Sequence, residues 1–200
     1  MSLDHFAHKA DSFDANPVRV DNVDAIARVL RDTVALDPAM RLLDFGSGTG
    51  LLLERLAPHV AHITAVDVSP AMNRQLDAKR AHLPCTVEIL ELDLVAHDLA
   101  QTFDGIVSSM TLHHVADVAA LLRKFHGLLP DGGFIALADL DTEDGSFHSE
   151  DTGVFHAGFE RAYIAGLAAA AGFREVQVHS ASVVRKPQGD YPVFLLTAVR

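Results

Sequence analysis

Short apolar runs alternate with amphipathic segments over the first 140 residues of the chain. The runs have the length and the β-branched content of buried parallel strands. In the segments between them, apolar residues recur every three or four positions, which is typical of helices. The predicted strands cover residues 41–45, 62–66, 86–90, 103–108 and 134–140. The predicted helices cover residues 18–36, 50–57, 70–81, 114–129 and, beyond this region, 159–171.

Strands that alternate with helices imply a doubly wound parallel sheet, with helices on both faces and right-handed crossovers. The last two predicted strands, 174–185 and 191–199, are joined by a short connection and form a hairpin, so the sheet ends antiparallel. The predicted fold class is therefore α/β. We expect residues 1–37 to form an N-terminal arm and helix and residues 38–200 to form the main domain. The arm is either mobile or a lid over a ligand.

A glycine-rich loop joins the first predicted strand to the helix that follows it. Residues 44–50 read Asp-Phe-Gly-Ser-Gly-Thr-Gly. Glycine at every second position allows the backbone to turn sharply and to approach a ligand at a helix N-terminus. The loop lacks the Gly-Lys-Ser/Thr ending of a P-loop, and Leu51 stands where a dinucleotide fingerprint has its third glycine. On this loop alone, a plain tight turn and a nucleotide-type site both remain open.

Acidic residues mark the ends of the next two predicted strands. Asp67 ends the second strand and Asp93 follows the third, so both lie at the carboxyl edge where ligands bind in open α/β sheets. A carboxylate at Asp67 can accept hydrogen bonds from both hydroxyls of a ribose, and Asp93 is placed to meet an adenine amino group. Helix capping by Asp67 and a turn at Asp93 are the structural alternatives. The glycine-rich loop, Asp67 and Asp93 thus follow three successive strands, and together they favour a nucleotide-type site.

This set of motifs resembles the class I S-adenosylmethionine-dependent methyltransferases over residues 41–140. The acidic-x-Gly-x-Gly-x-Gly loop is similar to the first motif of that family. Residues 103–114 resemble the segment after the fourth strand in the branch that acts on small molecules, and Leu-Leu-Pro-Asp-Gly-Gly at 128–133 matches the turn before its fifth strand. The resemblance implies a Rossmann-like seven-stranded sheet in the order 3-2-1-4-5-7-6, with one antiparallel strand. It also makes residues 38–200 an S-adenosylmethionine-binding methyltransferase domain.

S-adenosylmethionine is the cofactor that this resemblance implies. The loop glycines would approach its methionine part, Asp44 would lie near the methionine amino group, Asp67 would bind the ribose and Asp93 the adenine. Nearby apolar side chains would pack on the adenine ring. The expected cofactor-binding residues are Asp44, Gly46, Ser47, Gly48, Gly50, Asp67, Val68, Met72, Asp93, Leu94 and Ser108.

Histidines are the candidate catalytic residues, and the chain has 12 of them. His113 follows the fourth strand together with His114, and His156 lies with His148 in the long polar segment 141–158, a kind of loop that is often functional. Both are expected to face the methyl acceptor, either as a general base or as lining of the pocket. Methyl transfer depends first on in-line placement of the acceptor. A base is needed only where the acceptor must lose a proton.

Several related chemistries are disfavoured. The Asn/Asp-Pro-Pro-Tyr motif of adenine and glutamine methyltransferases is absent, and residues 108–111 occupy its place. The single cysteine, Cys85, lies at the wrong end of the third strand for a cytosine C5 nucleophile, and one thiol argues against arsenite methylation. Serines follow the fourth strand where a catechol-type magnesium site has a carboxylate, and the histidine spacing matches no metal motif. No metal is therefore expected.

The composition of the chain bears on which partners it binds and on the cellular compartment in which it works. The formal net charge of −11 argues against a nucleic-acid partner. No apolar run reaches the length of a membrane span, the first residues show neither the charged nor the apolar region expected of a signal peptide, and a single cysteine suits a reducing compartment. We expect a cytoplasmic enzyme that transfers a methyl group from S-adenosylmethionine to a small-molecule acceptor. A non-catalytic S-adenosylmethionine-binding protein is the alternative, and an NAD-dependent oxidoreductase is a less favoured one.

Overall fold

A seven-stranded sheet forms the centre of the computed structural model, which describes residues 7–150 and 152–200. The strands are β1 Arg41–Phe45, β2 His62–Asp67, β3 Thr86–Glu91, β4 Gly105–Ser109, β5 Phe134–Leu140, β6 Arg174–Lys186 and β7 Gly189–Val199. They lie in the order β3-β2-β1-β4-β5-β7-β6. Strand β7 runs antiparallel to both of its neighbours, and the other pairs are parallel. The predicted fold class and the predicted order 3-2-1-4-5-7-6 are confirmed.

Within the described residues, five α-helices connect or flank the strands. They are α1 Pro17–Thr33, α2 Leu51–Leu56, α3 Pro70–Arg80, α4 Val118–Leu128 and α5 Arg161–Ala170. Side-chain caps start three of them. Asn16 accepts from the Val18 amide at α1, and Ser69 accepts from the Met72 amide at α3. Asp117 caps α4 in the same way, which satisfies amides that have no partner within the helix.

Both faces of the sheet are covered, and strand β5 shows this most directly. Ala136 and Ala138 belong to the apolar cluster that contains α1 and α2. Ile135 and Leu137, on the alternate positions, belong to the cluster that contains α4 and α5. Successive side chains of a strand point to opposite faces, so a strand with all seven residues buried must lie between two layers of helices.

Five predicted boundaries differ from the structure by two residues or more. Two of them are the end of α1, at Thr33 rather than at residue 36, and the start of β7, at Gly189 rather than at residue 191. The helix predicted over 114–129 begins at Val118, because Asp117 is its cap and residues 112–114 form a separate 3-10 helix. Strand β4 begins at Gly105 rather than at residue 103. Helix α5 begins at Arg161 rather than at residue 159, because Phe159 forms a bridge with Asp141 at the end of β5.

The described part of the N-terminal arm lies against the domain. A 3-10 helix spans Ala10–Ala15, and Ala10 is buried together with Met72 of α3. Asp14 accepts hydrogen bonds from the Thr49 hydroxyl at 2.5 Å and from Lys79 at 2.7 Å. The arm therefore contacts both the glycine loop and α3. Residues 1–6 of the predicted arm and residue 151 of the long polar segment lie outside the described residues.

None of the helices in the described ranges is both long and apolar enough to cross a membrane.

Candidate active site

The glycine loop between β1 and α2 has an unusual backbone. Gly46, Gly48 and Gly50 all have positive φ, at 67°, 55° and 86°, a conformation that other residues adopt only with strain. A Cβ at Gly46 would overlap the side chain of Thr111, which follows β4. A Cβ at Gly48 would meet no atom within 4 Å. Gly46 therefore allows close packing, whereas the backbone at Gly48 borders open space that a ligand can enter.

Buried polar atoms without partners lie in and beside this loop. The Oδ2 atom of Asp44 and the Oγ atoms of Ser47 and Ser109 are buried and have no hydrogen-bond partner among the described residues. Asp44 is only 1% exposed. Burial, and secondly the charge of Asp67, raises the pKa of Asp44 to about 7. Buried polar groups are nearly always paired in folded proteins, so these atoms indicate that a bound group completes the site.

Asp67 links β2 to the glycine loop. Its Oδ2 accepts from the Gly48 amide at 2.8 Å, and its Oδ1 accepts from the Ser69 amide at 2.8 Å. Helix capping, the structural alternative for Asp67, is done by Ser69 instead, and Asp67 closes a local turn before the helix. A carboxylate has about four acceptor positions, so one such group can hold backbone amides and a ligand hydroxyl together.

The remaining predicted cofactor residues differ in exposure and in partners. Val68 is 60% exposed, whereas Leu94 is buried and Met72 is buried against the arm. Asp93 accepts from two backbone amides that follow it in a turn, as its structural alternative proposed. The Ser108 hydroxyl donates to the Phe45 carbonyl oxygen at 2.7 Å and is fully buried, so it joins β4 to β1. Contact of these side chains with the cofactor stays a prediction.

His113 forms a buried pair with Asp139 of β5. Its Nδ1 lies 2.7 Å from Asp139 Oδ1, and its backbone amide donates to Asp139 Oδ2 at 3.2 Å. The two side chains are 2% and 0% exposed. Because the carboxylate can only accept, Nδ1 of His113 carries a proton, and in the neutral imidazole Nε2 then keeps a lone pair.

The long polar segment 141–158 folds back onto the 3-10 helix after β4. The amides of Phe155 and His156 both donate to the His113 carbonyl oxygen, at 2.9 and 3.2 Å. The His156 ring lies 3.0 Å from the Val115 carbonyl oxygen through Nε2. Asp141 and Arg161 form a bidentate ion pair, with both distances 2.7 Å, where the segment leaves β5. The structure therefore joins the two histidine-bearing regions that were predicted to face the acceptor.

A third histidine reaches the same place. The ring of His148 lies 5.1 Å from that of His113 and 5.8 Å from that of His114, measured between centroids. The Nε2 atom of His148 is buried and has no hydrogen-bond partner among the described residues. Burial, followed by the neighbouring His113 and His114, lowers the pKa of His148 to about 4. His148 is therefore neutral at physiological pH.

The sequence placed His148 on the acceptor side, but it did not show the contact of His148 with His113 or the pairing of Asp139 with His113. Asp139 carried a signal, because an aspartate inside an otherwise apolar strand needs a buried partner. His148 carried none beyond its place in the long polar segment. Met110, which follows β4, has a φ of 58°. Strained backbone of this kind concentrates at functional sites, but nothing in the local sequence announces it.

Comparison with known proteins agrees with the geometry. A family model described as a methyltransferase domain matches residues 18–178. An uncharacterized methyltransferase of Mycobacterium tuberculosis is 34% identical over 102 residues, which cover 50% of this chain and 51% of that protein. A ubiquinone biosynthesis O-methyltransferase of Xanthomonas campestris is 32% identical over 134 residues, covering 66% of this chain and 53% of that protein. The chain thus spans about half the length of these curated relatives.

Solved structures share the fold. An S-adenosylmethionine-dependent methyltransferase from Mesorhizobium loti superposes with a TM-score of 0.70 at 21% identity, covering 89% of this chain and 100% of that one. At this identity the likeness concerns the fold alone. The family match covers α1, all of the parallel strands and the glycine loop. By sequence match and by sheet order, this chain belongs to the class I S-adenosylmethionine-dependent methyltransferase family.

Proposed function

We propose that this chain binds S-adenosylmethionine and transfers its methyl group to a small-molecule acceptor. The observation that carries the proposal is the combination, at the glycine loop, of open space beside Gly48 with unpartnered buried atoms on Asp44 and Ser47. An acid and a hydroxyl in that position suit a ligand that carries an ammonium group. The residues therefore fit the cofactor of the family.

Asp44 and Asp67 would hold the two polar parts of the cofactor. The Asp44 carboxylate would face the cationic methionine end, and the approach of a positive charge would favour its ionised form. Asp67 would accept from the ribose hydroxyls while it keeps its bond to the Gly48 amide. When bound, S-adenosylmethionine supplies a methyl group on a positively charged sulfur, which is already activated for displacement. The remaining task of the protein is to hold the acceptor in line.

A small molecule with a hydroxyl group is the acceptor that we favour. The net charge of −11 disfavours a nucleic acid. The Xanthomonas relative is named as an O-methyltransferase of ubiquinone biosynthesis, which supports an oxygen acceptor for this chain as well. Transfer to a hydroxyl requires loss of its proton. His113, through its Nε2, and His156, whose Nε2 donates to the Val115 carbonyl oxygen and leaves Nδ1 basic, are the candidate bases in the described region.

Calorimetry with the purified full chain tests cofactor binding. We expect S-adenosylmethionine and its demethylated product to bind and NAD not to bind. Asp67→Ala should weaken cofactor binding about ten-fold or more, because charged hydrogen bonds are each worth roughly 1.5–3 kcal/mol. Asp98→Ala is the matched control, since this aspartate is 91% exposed and pairs with Lys124 outside the loop. Binding of NAD alone would overturn the proposal.

Turnover is the second part of the test. A panel of phenols, alcohols and amines with radiolabelled S-adenosylmethionine should reveal methylation of a hydroxyl. Cofactor binding without turnover on any acceptor would favour the non-catalytic alternative. His113→Ala and His156→Ala should lower the turnover number at saturating acceptor where the histidine serves as base. Normal turnover in both variants would leave these residues as pocket lining.

We further propose a cytoplasmic location, which is compatible with the single free cysteine, Cys85. Fractionation of cells that express the tagged protein tests this, and recovery in the membrane pellet would contradict it.

A further inference from the structure

Three histidine side chains converge beside the end of β4. His113 and His114 belong to the 3-10 helix Leu112–His114, and His148 comes from the segment after β5. One ring nitrogen from each lies within 4.8 Å of the others. The three residues are buried or half-buried. This cluster, which we call the histidine triad, is used by neither the glycine loop nor Asp67.

The outer hydrogen bonds of the triad orient the rings. Nδ1 of His113 is held by Asp139 at 2.7 Å, and Nδ1 of His148 lies 3.2 Å from the Thr152 hydroxyl. Nδ1 of His114 lies 3.4 Å from the Gly153 carbonyl oxygen. Histidine ligands of metals are typically held in this way, with one ring nitrogen on a carboxylate or a carbonyl and the other on the metal.

Two Nε2 atoms of the triad, those of His113 and His148, have no hydrogen-bond donor assigned to them among the described residues. Nε2 of His113 carries a lone pair, because Nδ1 holds the proton. Nε2 of His148 is buried and has no hydrogen-bond partner among the described residues. A buried polar atom without a hydrogen-bond partner is destabilising. A single cation bound between the rings would take the lone pair of His113 Nε2 and, with Nδ1 of His148 donating to the Thr152 hydroxyl, that of His148 Nε2 as well.

We propose that the histidine triad binds one divalent transition-metal ion, with Zn²⁺ the expected occupant. Imidazole nitrogen is a preferred ligand of zinc and of its neighbours, whereas magnesium and calcium prefer oxygen. Zinc–nitrogen bonds of 2.0–2.1 Å require ligand nitrogens about 3.3 Å apart. The nitrogens must therefore close by at most about 1.5 Å, which small side-chain rotations provide.

Charge near the triad is compatible with a cation. Asp139 places a buried carboxylate directly behind His113. Lys186 is the opposing charge, but its Nζ is turned to the Phe147 ring, 3.5 Å from the centroid, and to the Phe147 carbonyl oxygen. Three protein ligands also leave one coordination position open, as in zinc sites that bind an oxygen ligand.

This proposal departs from the expectation that the chain has no metal site. That expectation used the spacing of histidines along the sequence, which matches no motif, because His148 reaches the other two only when the segment 141–158 folds back. The proposal also takes the Nε2 lone pair of His113 for the metal, so His113 would not act as a general base in the metal-bound protein.

Direct metal binding tests the proposal without reference to methyl transfer. The full chain is stripped with a chelator and titrated with Zn²⁺ in competition with a chromophoric zinc indicator, in the absence of S-adenosylmethionine. We expect one tightly bound equivalent in the wild type and in His82→Ala, an exposed control histidine. His148→Ala and His114→Ala should each bind about 100-fold more weakly or not at all, and Asp139→Asn about 10- to 100-fold more weakly.

Spectroscopy with Co²⁺ separates this site from surface histidines. Visible absorption bands of bound Co²⁺ should appear in the wild type and in His82→Ala and be absent from His148→Ala. Circular dichroism establishes that each variant is folded, and His114→Ala serves if His148→Ala is not. Wild-type affinity for Zn²⁺ no greater than that of the folded triad variants would overturn the proposal, and so would loss of binding in His82→Ala alone.

Discussion

The two halves of the candidate active site differ in how far the protein itself pairs their buried polar groups. The cofactor edge, which consists of residues 44–50 and Asp67, keeps buried polar atoms without partners and a backbone that borders open space. The acceptor edge, which consists of residues 112–114, Asp139 and the segment 141–158, has its buried charge paired and its loop tied down by hydrogen bonds. The cofactor edge is incomplete as a protein structure, whereas much of the acceptor edge contributes to the fold.

This difference has an energetic meaning. Loss of one partner from a buried ion pair strongly destabilises the folded state. Substitutions at Asp139 should therefore lower the free energy of unfolding. A buried carboxylate with an unpartnered oxygen is itself a cost, so changes at Asp44 should act on binding and leave the fold intact or improve it. Four variants, taken from the largest expected effect to the smallest, test this contrast.

Asp139→Asn should lower the free energy of unfolding by about 3 kcal/mol. Asp139 accepts from the ring and the amide of His113 and from the amide of Leu140, whereas asparagine has one acceptor oxygen and would turn an NH₂ group towards a donor. Urea denaturation measures the change. Asp141→Asn is the control and should cost about 1 kcal/mol or less, because its pair with Arg161 is partly exposed. Equal effects in the two variants would remove the distinction between a buried and a surface pair.

Gly46→Ala should cost about 2 kcal/mol of stability and should weaken cofactor binding. The residue has a φ of 67°, and a Cβ there would overlap Thr111, so the variant combines backbone strain with a clash. Gly127→Ala in α4 is the control, because Gly127 has space around it and lies in a helix. The control should be stabilising by up to about 1 kcal/mol. Thermal unfolding and calorimetry on both variants provide the comparison, and an unperturbed Gly46→Ala would contradict the packing argument.

Cofactor affinity should rise about ten-fold between pH 6 and pH 8. The pKa of Asp44 in the unliganded protein is raised to about 7 by burial and by Asp67, and only the ionised carboxylate attracts the cationic end of the cofactor. Calorimetry in two buffers of different ionisation enthalpy should detect the release of a proton near pH 7. Asp44→Asn should bind about ten-fold more weakly at pH 8 and lose most of this pH dependence. A wild-type affinity that does not vary with pH would exclude Asp44 from contact with the cofactor.

The stability of the unliganded protein should show the opposite trend from the same group. Because the pKa of Asp44 is higher in the folded than in the unfolded state, the folded state binds more protons between pH 4 and pH 7. The contribution of Asp44 to stability is present at low pH and is lost as the pH rises through this range. The difference in unfolding free energy between Asp44→Asn and wild type should therefore grow in favour of the variant from pH 5 to pH 8.

Asp14→Ala should have the smallest effect, about three-fold on cofactor dissociation. Asp14 joins the N-terminal arm to Thr49 of the glycine loop and to Lys79. Loss of this contact should speed release of the cofactor if the arm acts as a lid, while stability changes by less than about 1 kcal/mol. Asp11→Ala is matched to it, because Asp11 contacts Gln75 of α3 and not the loop. Stopped-flow dissociation rates that are the same in both variants would leave the arm without a lid function.

Short-range patterns carried most of the fold. Each predicted strand and helix is present. The starts of α4 and α5 were misplaced because a local cap at Asp117 decides the first and a contact remote in sequence decides the second. The bridge between Asp141 and Phe159 is that contact. The hairpin of β6 and β7 could be predicted because its turn is short and both strands are rich in β-branched or aromatic residues.

At the cofactor edge, the sequence by itself determined the loop, its glycines and the carboxylates at the strand ends. These features are local, because a turn and the end of a strand depend on a few consecutive residues. For Ser108, the sequence indicated the position but not the hydrogen-bond partner. Its place at the end of β4 was correct, but only the tertiary structure decided that its hydroxyl bonds to the Phe45 carbonyl oxygen.

At the acceptor edge, only the tertiary structure decided which residues meet. His113 reaches Asp139 across 26 residues and His156 reaches Val115 across 41, and His148 joins His113 and His114 through the fold of the segment 141–158. Spacing along the chain carries no record of such contacts, because they depend on the packing of β4 beside β5 and on the path of one loop. The family could therefore be predicted from the sequence, whereas the residues proposed to surround the acceptor come together only in the tertiary structure.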